Sequence, residues 1–148
     1  MRFGVPLGTV TNKYRLLPIL ALLLWMGLIL FLSSRSSLPG DRAAIGWLGQ
    51  YKDEVGHLGE YGVLGMLTYA VLRPRLDQRK CFVWGLAYCV AFSLADEAFQ
   101  GLVPNRTPEI KDLLLDGVAA TVALVGLSVL GPRIWRYWLG RVPGGAGP

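Results

Sequence analysis

Asp53, His57, Glu60 and Tyr61 follow one another at helical spacing. On a wheel of about 100° per residue they fall, with Leu64, inside a stripe roughly 100° wide, so two carboxylates, an imidazole and a phenol share one helix face. That is the material of acid/base chemistry, because an imidazole titrates near neutrality and a neighbouring carboxylate can orient it. Two similar groups follow. Asp96, Glu97 and Gln100 cover about 100° of a second helix end with Ser93 one turn below, and Asp112 and Asp116 stand one turn apart on a third helix. Arg106, in the connection GLVPNRTPEIK, is the natural cation to offset these acids, since a guanidinium can fork onto two acids or grip a phosphate. The candidate catalytic groups are therefore His57, as acid/base, and Glu60, Asp96 and Glu97 as its possible orienting partners. The candidate ligand-binding residues are Asp53, Tyr61, Gln100, Arg106, Asp112 and Asp116.

Taken singly, most of these have a plainer use. Asp53 and Glu54 could be acids favoured by a helix N-terminus, Asp112 an N-cap, His57 a hydrogen-bonding residue near a headgroup layer, and Arg106 an ordinary loop charge. Glu60 and Asp116 resist that explanation because both lie past the first helical turn. It is the coincidence of three such groups that points to a site. One histidine with several carboxylates is a weak ligand set for a divalent ion, and no H-E-x-x-H or C-x-x-C spacing accompanies it, so no metal and no cofactor is assigned. Cys81 and Cys89, eight helical residues and roughly 12 Å apart, are too distant for a disulfide and read as small packing residues.

The elements that must position these groups are membrane spans. The chain has 148 residues, 53% of them hydrophobic, and a mean hydropathy of +0.42. Leu16–Leu32 (LLPILALLLWMGLILFL) carries no charge and, at about 1.5 Å per residue, just spans a thin hydrocarbon core. Val55–Leu72, Cys81–Ala95 and Leu113–Leu130 are weaker apolar stretches that could shelter polar groups inside a bundle. A cleaved signal peptide would also have a basic lead and an apolar run, but this run is long and no Ala-x-Ala site follows, so it is read as a retained span. Gly56, Gly59, Gly62 and Gly65 recur every three residues, and Ala119, Ala123 and Gly126 continue the Asp112–Asp116 face. Both patterns permit close helix contact. The expected fold is all-α: an integral membrane bundle of four transmembrane helices over 16–132, preceded by a cytoplasmic segment, 1–15, and followed by a partly disordered cytoplasmic tail, 133–148.

Orientation comes from the basic residues. Arg2, Lys13 and Arg15, then Arg73, Arg75, Arg79 and Lys80, then Arg133, Arg136 and Arg141 fall on one side, against Arg35, Arg42, Lys52, Arg106 and Lys111 on the other. The richer side should be cytoplasmic, with both termini on it, and Trp135, Tyr137 and Trp138 fit an interfacial belt there. Of the acids only Asp77 then lies inside. All the others gather at the outer face, a result independent of the lysines and arginines that set the orientation. The net charge of +5 is spread along the flanks of apolar spans, which speaks against a nucleic-acid surface, and no glycine loop after a strand suggests a nucleotide fold.

In their order along the chain these blocks resemble the VanZ-like family of bacterial membrane proteins. Phe31–Ser34 (FLSS) resembles the Ser-Ser ending of its first helix. Asp53-x-x-x-His57-x-x-Glu60-Tyr61-x-x-Leu64-Gly65 resembles its Asp-Lys-x-x-His-x-x-Glu-Tyr block. Asp96-Glu97-x-x-Gln100 and Val103-Pro104-Asn105-Arg106…Asp112 resemble its Asp-Glu-x-x-Gln and Val-Pro-Gly-Arg…Asp blocks. Glu54, Asp116, Ala119 and Arg35 stand where the family often has Lys, Asn, Gly and Gln, and the first two make this site more acidic than the family pattern. The resemblance implies a four-helix protein of the bacterial plasma membrane and an association with resistance to teicoplanin-type glycopeptides. It does not bring an established reaction. The function expected is an outward-facing polar site, catalytic or purely binding, for a lipid-linked or cell-wall molecule at the outer leaflet. Alternatives are a proton- or cation-coupled carrier, in which Glu60 and Asp116 titrate, and a structural ion-pair network within an envelope complex.

Overall fold

The computed structural model describes residues 10–35, 52–104 and 106–139, with side chains over 16–35, 54–104 and 106–131. Its four helices are α1 (Val10–Ser33), α2 (Lys52–Leu72), α3 (Gln78–Gln100) and α4 (Ile110–Leu139), and no strand occurs among the described residues. Asp41, Arg42 and the Gly/Pro-rich tail lie outside the described residues, as do the side chains of Asp53, Trp135, Tyr137 and Trp138.

Three helices are long and apolar enough to cross a membrane: α1 through Leu16–Ser33, α3, and α4 through Ile110–Gly131. Their large apolar side chains point away from the bundle. Leu17, Leu20, Leu24, Leu28 and Phe31 on α1, and Leu114, Val118, Val122, Val125 and Val129 on α4, are exposed stripes at helical spacing. Water would not tolerate so much contiguous apolar surface, whereas acyl chains solvate it.

The exception, α2, carries Lys52, Asp53, Glu54 and Glu60, and it packs against each of the other three helices. His57, Tyr61, Leu64, Gly65 and Thr68 are its buried residues, a single inward stripe. The glycine pattern works at one position only. A Cβ on Gly65 would stand 3.1 Å from the Ala123 Cβ and 3.2 Å from the Ala120 backbone, whereas Gly56, Gly59 and Gly62 have nothing within 4 Å. Helix rotation explains this. A three-residue repeat drifts about 60° per step, so only one of the four glycines meets α4.

The chain reverses between α2 and α3 at Arg73–Leu76, and Asp77 caps α3. Its carboxylate accepts the Lys80 N–H at 3.0 Å and pairs with the Lys80 ammonium at 3.2 Å. That backbone bond first, and the ammonium second, hold the Asp77 carboxyl below its usual range. Asp112 lies in the first turn of α4 rather than at its cap, donating its N–H to the Glu109 carbonyl at 3.0 Å. The C-terminal ends of α1 and α3 thus meet the N-terminal ends of α2 and α4, and the polar residues of all four helices arrive at one end of the bundle.

Candidate functional site

At that end His57 is the hub. Its Nδ1 lies 3.0 Å from Asp116 Oδ1, and its Nε2 lies 3.6 Å from Asp112 Oδ2. The other oxygen of Asp116 accepts the Ser93 hydroxyl at 2.5 Å. His57, Ser93 and Asp116 are all buried. With the Asp116 carboxylate against Nδ1, a proton held on that nitrogen leaves Nε2 as the working nitrogen, whether as base or as ligand. The Ser93 hydroxyl stands behind Asp116 and not against the imidazole. It therefore steadies the carboxylate and is not a nucleophile activated by His57.

A second layer joins α1, α2 and α3. Asp96 Oδ2 accepts the Tyr61 hydroxyl at 3.4 Å and the Gln100 amide at 3.3 Å, and that amide also reaches Ser33 Oγ at 3.4 Å. Arg106 closes the layer, donating Nη1 to Gln100 Oε1 at 3.1 Å and Nε to the Arg35 carbonyl at 3.1 Å. The Tyr61 ring stacks on His57 with centroids 6.3 Å apart and planes within 11°. Trp25, on α1, donates its indole N–H to the Glu60 carbonyl at 2.9 Å and ties α1 to this layer.

Glu97 is held at one oxygen only. Its Oε2 accepts the Glu109 N–H at 2.9 Å, while Oε1, like Asp96 Oδ1, is buried with no partner among the described residues. Glu97, Asp112 and His57 each bring a donor atom within 4.8 Å of the other two. At the rim, Glu54 pairs with Lys111, and that bond holds its carboxyl below the usual range.

Three helices do bring His57, Tyr61, Asp96, Glu97, Gln100, Arg106, Asp112 and Asp116 together. The roles within the group differ from those the spacing suggested. Among the described residues the carboxylate on His57 Nδ1 is Asp116, not Glu60, Asp96 or Glu97: α4 presents its acids to α2, while Asp96 meets Tyr61 and Gln100, and Glu97 accepts the Glu109 N–H. Arg106 likewise spans an amide and a backbone carbonyl among the described residues instead of two acids. Glu60 is half-buried at the edge of the group, within electrostatic reach of His57, Asp96, Asp116 and Arg106. Asp53 lies in the first turn of α2, and its side chain lies outside the described residues. Ser33 is the participant that residue chemistry alone did not single out. The signal was there, in a hydroxyl closing the most apolar run of the chain.

Neither a curated protein nor a solved structure matches the chain. The VanZ/LLP1 family profile does, over residues 18–131, which takes in all four helices and every described member of the polar group. A match over that much of the chain, with the motif residues meeting at one end of the bundle, places the protein in the VanZ-like family.

Proposed function

We propose that this is a plasma-membrane protein of a bacterium, with four spans and both termini cytoplasmic, whose polar end faces outward and binds or processes a lipid-linked or cell-wall molecule. The observation that carries the proposal is the pair of buried carboxylate oxygens, Asp96 Oδ1 and Glu97 Oε1, that have no partner among the described residues, inside an otherwise hydrogen-bonded cluster. A network that existed only to lock helices together would satisfy its buried acceptors, because each one left unmade costs roughly 1–3 kcal/mol and more when charged. Oxygens left without donors suit a site whose occupant supplies them.

Within this reading Arg106 holds an anionic group, a phosphate or carboxylate, and Asp116 presents His57 so that Nε2 can take or give a proton. Gln100 positions Arg106 for that role, and α2 is the fourth span, packed against each of its neighbours. A carrier is less well supported, since the described interior of the other half is lined mainly by Leu22, Leu64, Cys89, Ala120 and Leu124 and holds no buried charged side chain among the described residues.

The family's association with glycopeptide resistance supplies the assay. In a teicoplanin-susceptible bacterium the wild-type chain should raise the inhibitory concentration. His57→Ala and Arg106→Ala should each abolish that increase while the protein remains in the membrane fraction at near wild-type level. Two fully active variants would rule the proposal out. Variants that vanish from the membrane would favour the structural alternative.

A further inference from the structure

We infer that His57 Nε2, Asp112 Oδ2 and Glu97 Oε1 form a binding site for a first-row divalent cation, Zn²⁺ in preference to Mg²⁺. The site lies in the same outward cluster and so rests on the reading of that cluster given above.

Four observations converge on it. His57 is pre-oriented: Nδ1 is 3.0 Å from Asp116, which is in turn held by Ser93, the carboxylate–histidine arrangement that aims the second ring nitrogen at a metal. Nε2 and Asp112 Oδ2 are 3.6 Å apart, too far for a good hydrogen bond. That separation is close to the roughly 3.4 Å that separates two ligands each about 2.1 Å from one tetrahedral ion. Glu97 is only 8% exposed, its Oε2 is engaged by the Glu109 N–H, and its Oε1 is buried with no partner among the described residues. One donor atom of each residue lies within 4.8 Å of the other two.

Charge points the same way. Glu60, Asp96, Glu97, Asp112 and Asp116 crowd one region, against Arg106, Lys111 within reach of Asp112 and, if protonated, His57 among the described residues. In a setting poorer in water than the bulk, surplus negative charge must be protonated or neutralised by a cation. A divalent ion would neutralise two of these carboxylates and give Glu97 Oε1 its missing partner. The donor set of one imidazole and two carboxylates suits Zn²⁺ or Mn²⁺, whereas Mg²⁺ prefers oxygen alone. Three protein ligands leave a coordination position open, where an anionic oxygen of a ligand held by Arg106 could enter.

No linear spacing announces this site, because its ligands come one each from α2, α3 and α4. The test is a Zn²⁺ titration of the full-length protein, purified in detergent without a polyhistidine tag and stripped with chelator. One Zn²⁺ per chain should bind at micromolar or lower concentration, and Co²⁺ in its place should give a visible absorption band. Glu97→Gln, nearly isosteric, and Asp112→Asn should each weaken binding at least about tenfold with helicity unchanged. Glu54→Gln, outside the site, should not alter it. A folded wild-type protein that takes up neither Zn²⁺ nor Co²⁺ overturns the inference, and so does binding of equal strength in wild type, Glu97→Gln and Asp112→Asn. The two proposals fail separately. Loss of the resistance phenotype in Arg106→Ala with no metal bound sinks only this one. Stoichiometric Zn²⁺ with His57→Ala and Arg106→Ala both fully active sinks only the proposed function.

Discussion

The two ends of the bundle are built by opposite means. At the polar end the helices meet through His57, Ser93, Asp96, Gln100 and Asp116, held by hydrogen bonds of mixed quality and with two carboxylate oxygens unmatched among the described residues. At the other end they meet through close contact. Gly65 lies on Ala120 and Ala123, Gly85 lies under Leu124, and Cys89 touches Thr68 at 3.9 Å. The second kind of contact is sufficient to hold helices together in lipid, where small residues let backbones approach and dispersion does the rest. The first kind is costly in that setting. A bundle able to pack by the cheaper means but gathering the buried ionisable groups of its described residues at one end has a use for them beyond cohesion.

That contrast separates substitutions by what they damage. The largest effect expected is on function at the polar end: His57→Ala should remove the resistance phenotype entirely, with membrane abundance within about twofold of wild type by immunoblot, a bound of order one RT. At the packed end the effect should be on stability. Leu124→Ala, which empties a fully buried position, should cost about 2–5 kcal/mol and be read as a lowered unfolding temperature in detergent. Gly65→Ala should cost about 1–3 kcal/mol, because the new methyl meets the Ala120 backbone and cannot be relieved by a rotamer change. One turn earlier, Gly62→Ala should be neutral or stabilising by up to about 1 kcal/mol, since nothing lies within 4 Å and alanine is the better helix former. The smallest effect belongs to Lys111→Ala, whose exposed pairing with Glu54 should leave unfolding temperature and phenotype unchanged. A Gly62→Ala as damaging as Gly65→Ala would erase the distinction between the glycines, and with it the account of how that end packs.

Much of the polar end was legible because helical spacing is a local property. The faces shared by His57 and Tyr61, by Asp96 and Gln100, and by Asp112 and Asp116 follow from 100° per residue, and the cost of charge in lipid requires those faces to converge. What could not be read is the register between helices. Whether Asp116 or Asp112 lies against Nδ1 depends on an axial shift of one turn between α2 and α4, to which the Gly65 contact further along the interface contributes. The Glu97–Asp112 approach depends in turn on where α4 begins after a connection tied by Glu97 itself. Spacing likewise could not tell which of four glycines would meet a neighbour. The polar character of α2, which makes it look a poor span by composition, reflects the same fact as its central position: its charged turns have protein on several sides.

The central claim is that the polar end opens to the outer aqueous face, and cysteine accessibility tests it most directly. In a background with Cys81 and Cys89 replaced by alanine, Leu102→Cys lies just beyond α3 at the polar end, where Leu102 is 82% exposed, and Arg79→Cys lies at the opposite end of the same helix. A membrane-impermeant maleimide added to intact cells should label Leu102→Cys, and should label Arg79→Cys only after the cells are opened. Labelling of Arg79→Cys in intact cells, with Leu102→Cys protected, would put the carboxylates on the cytoplasmic side and contradict the account.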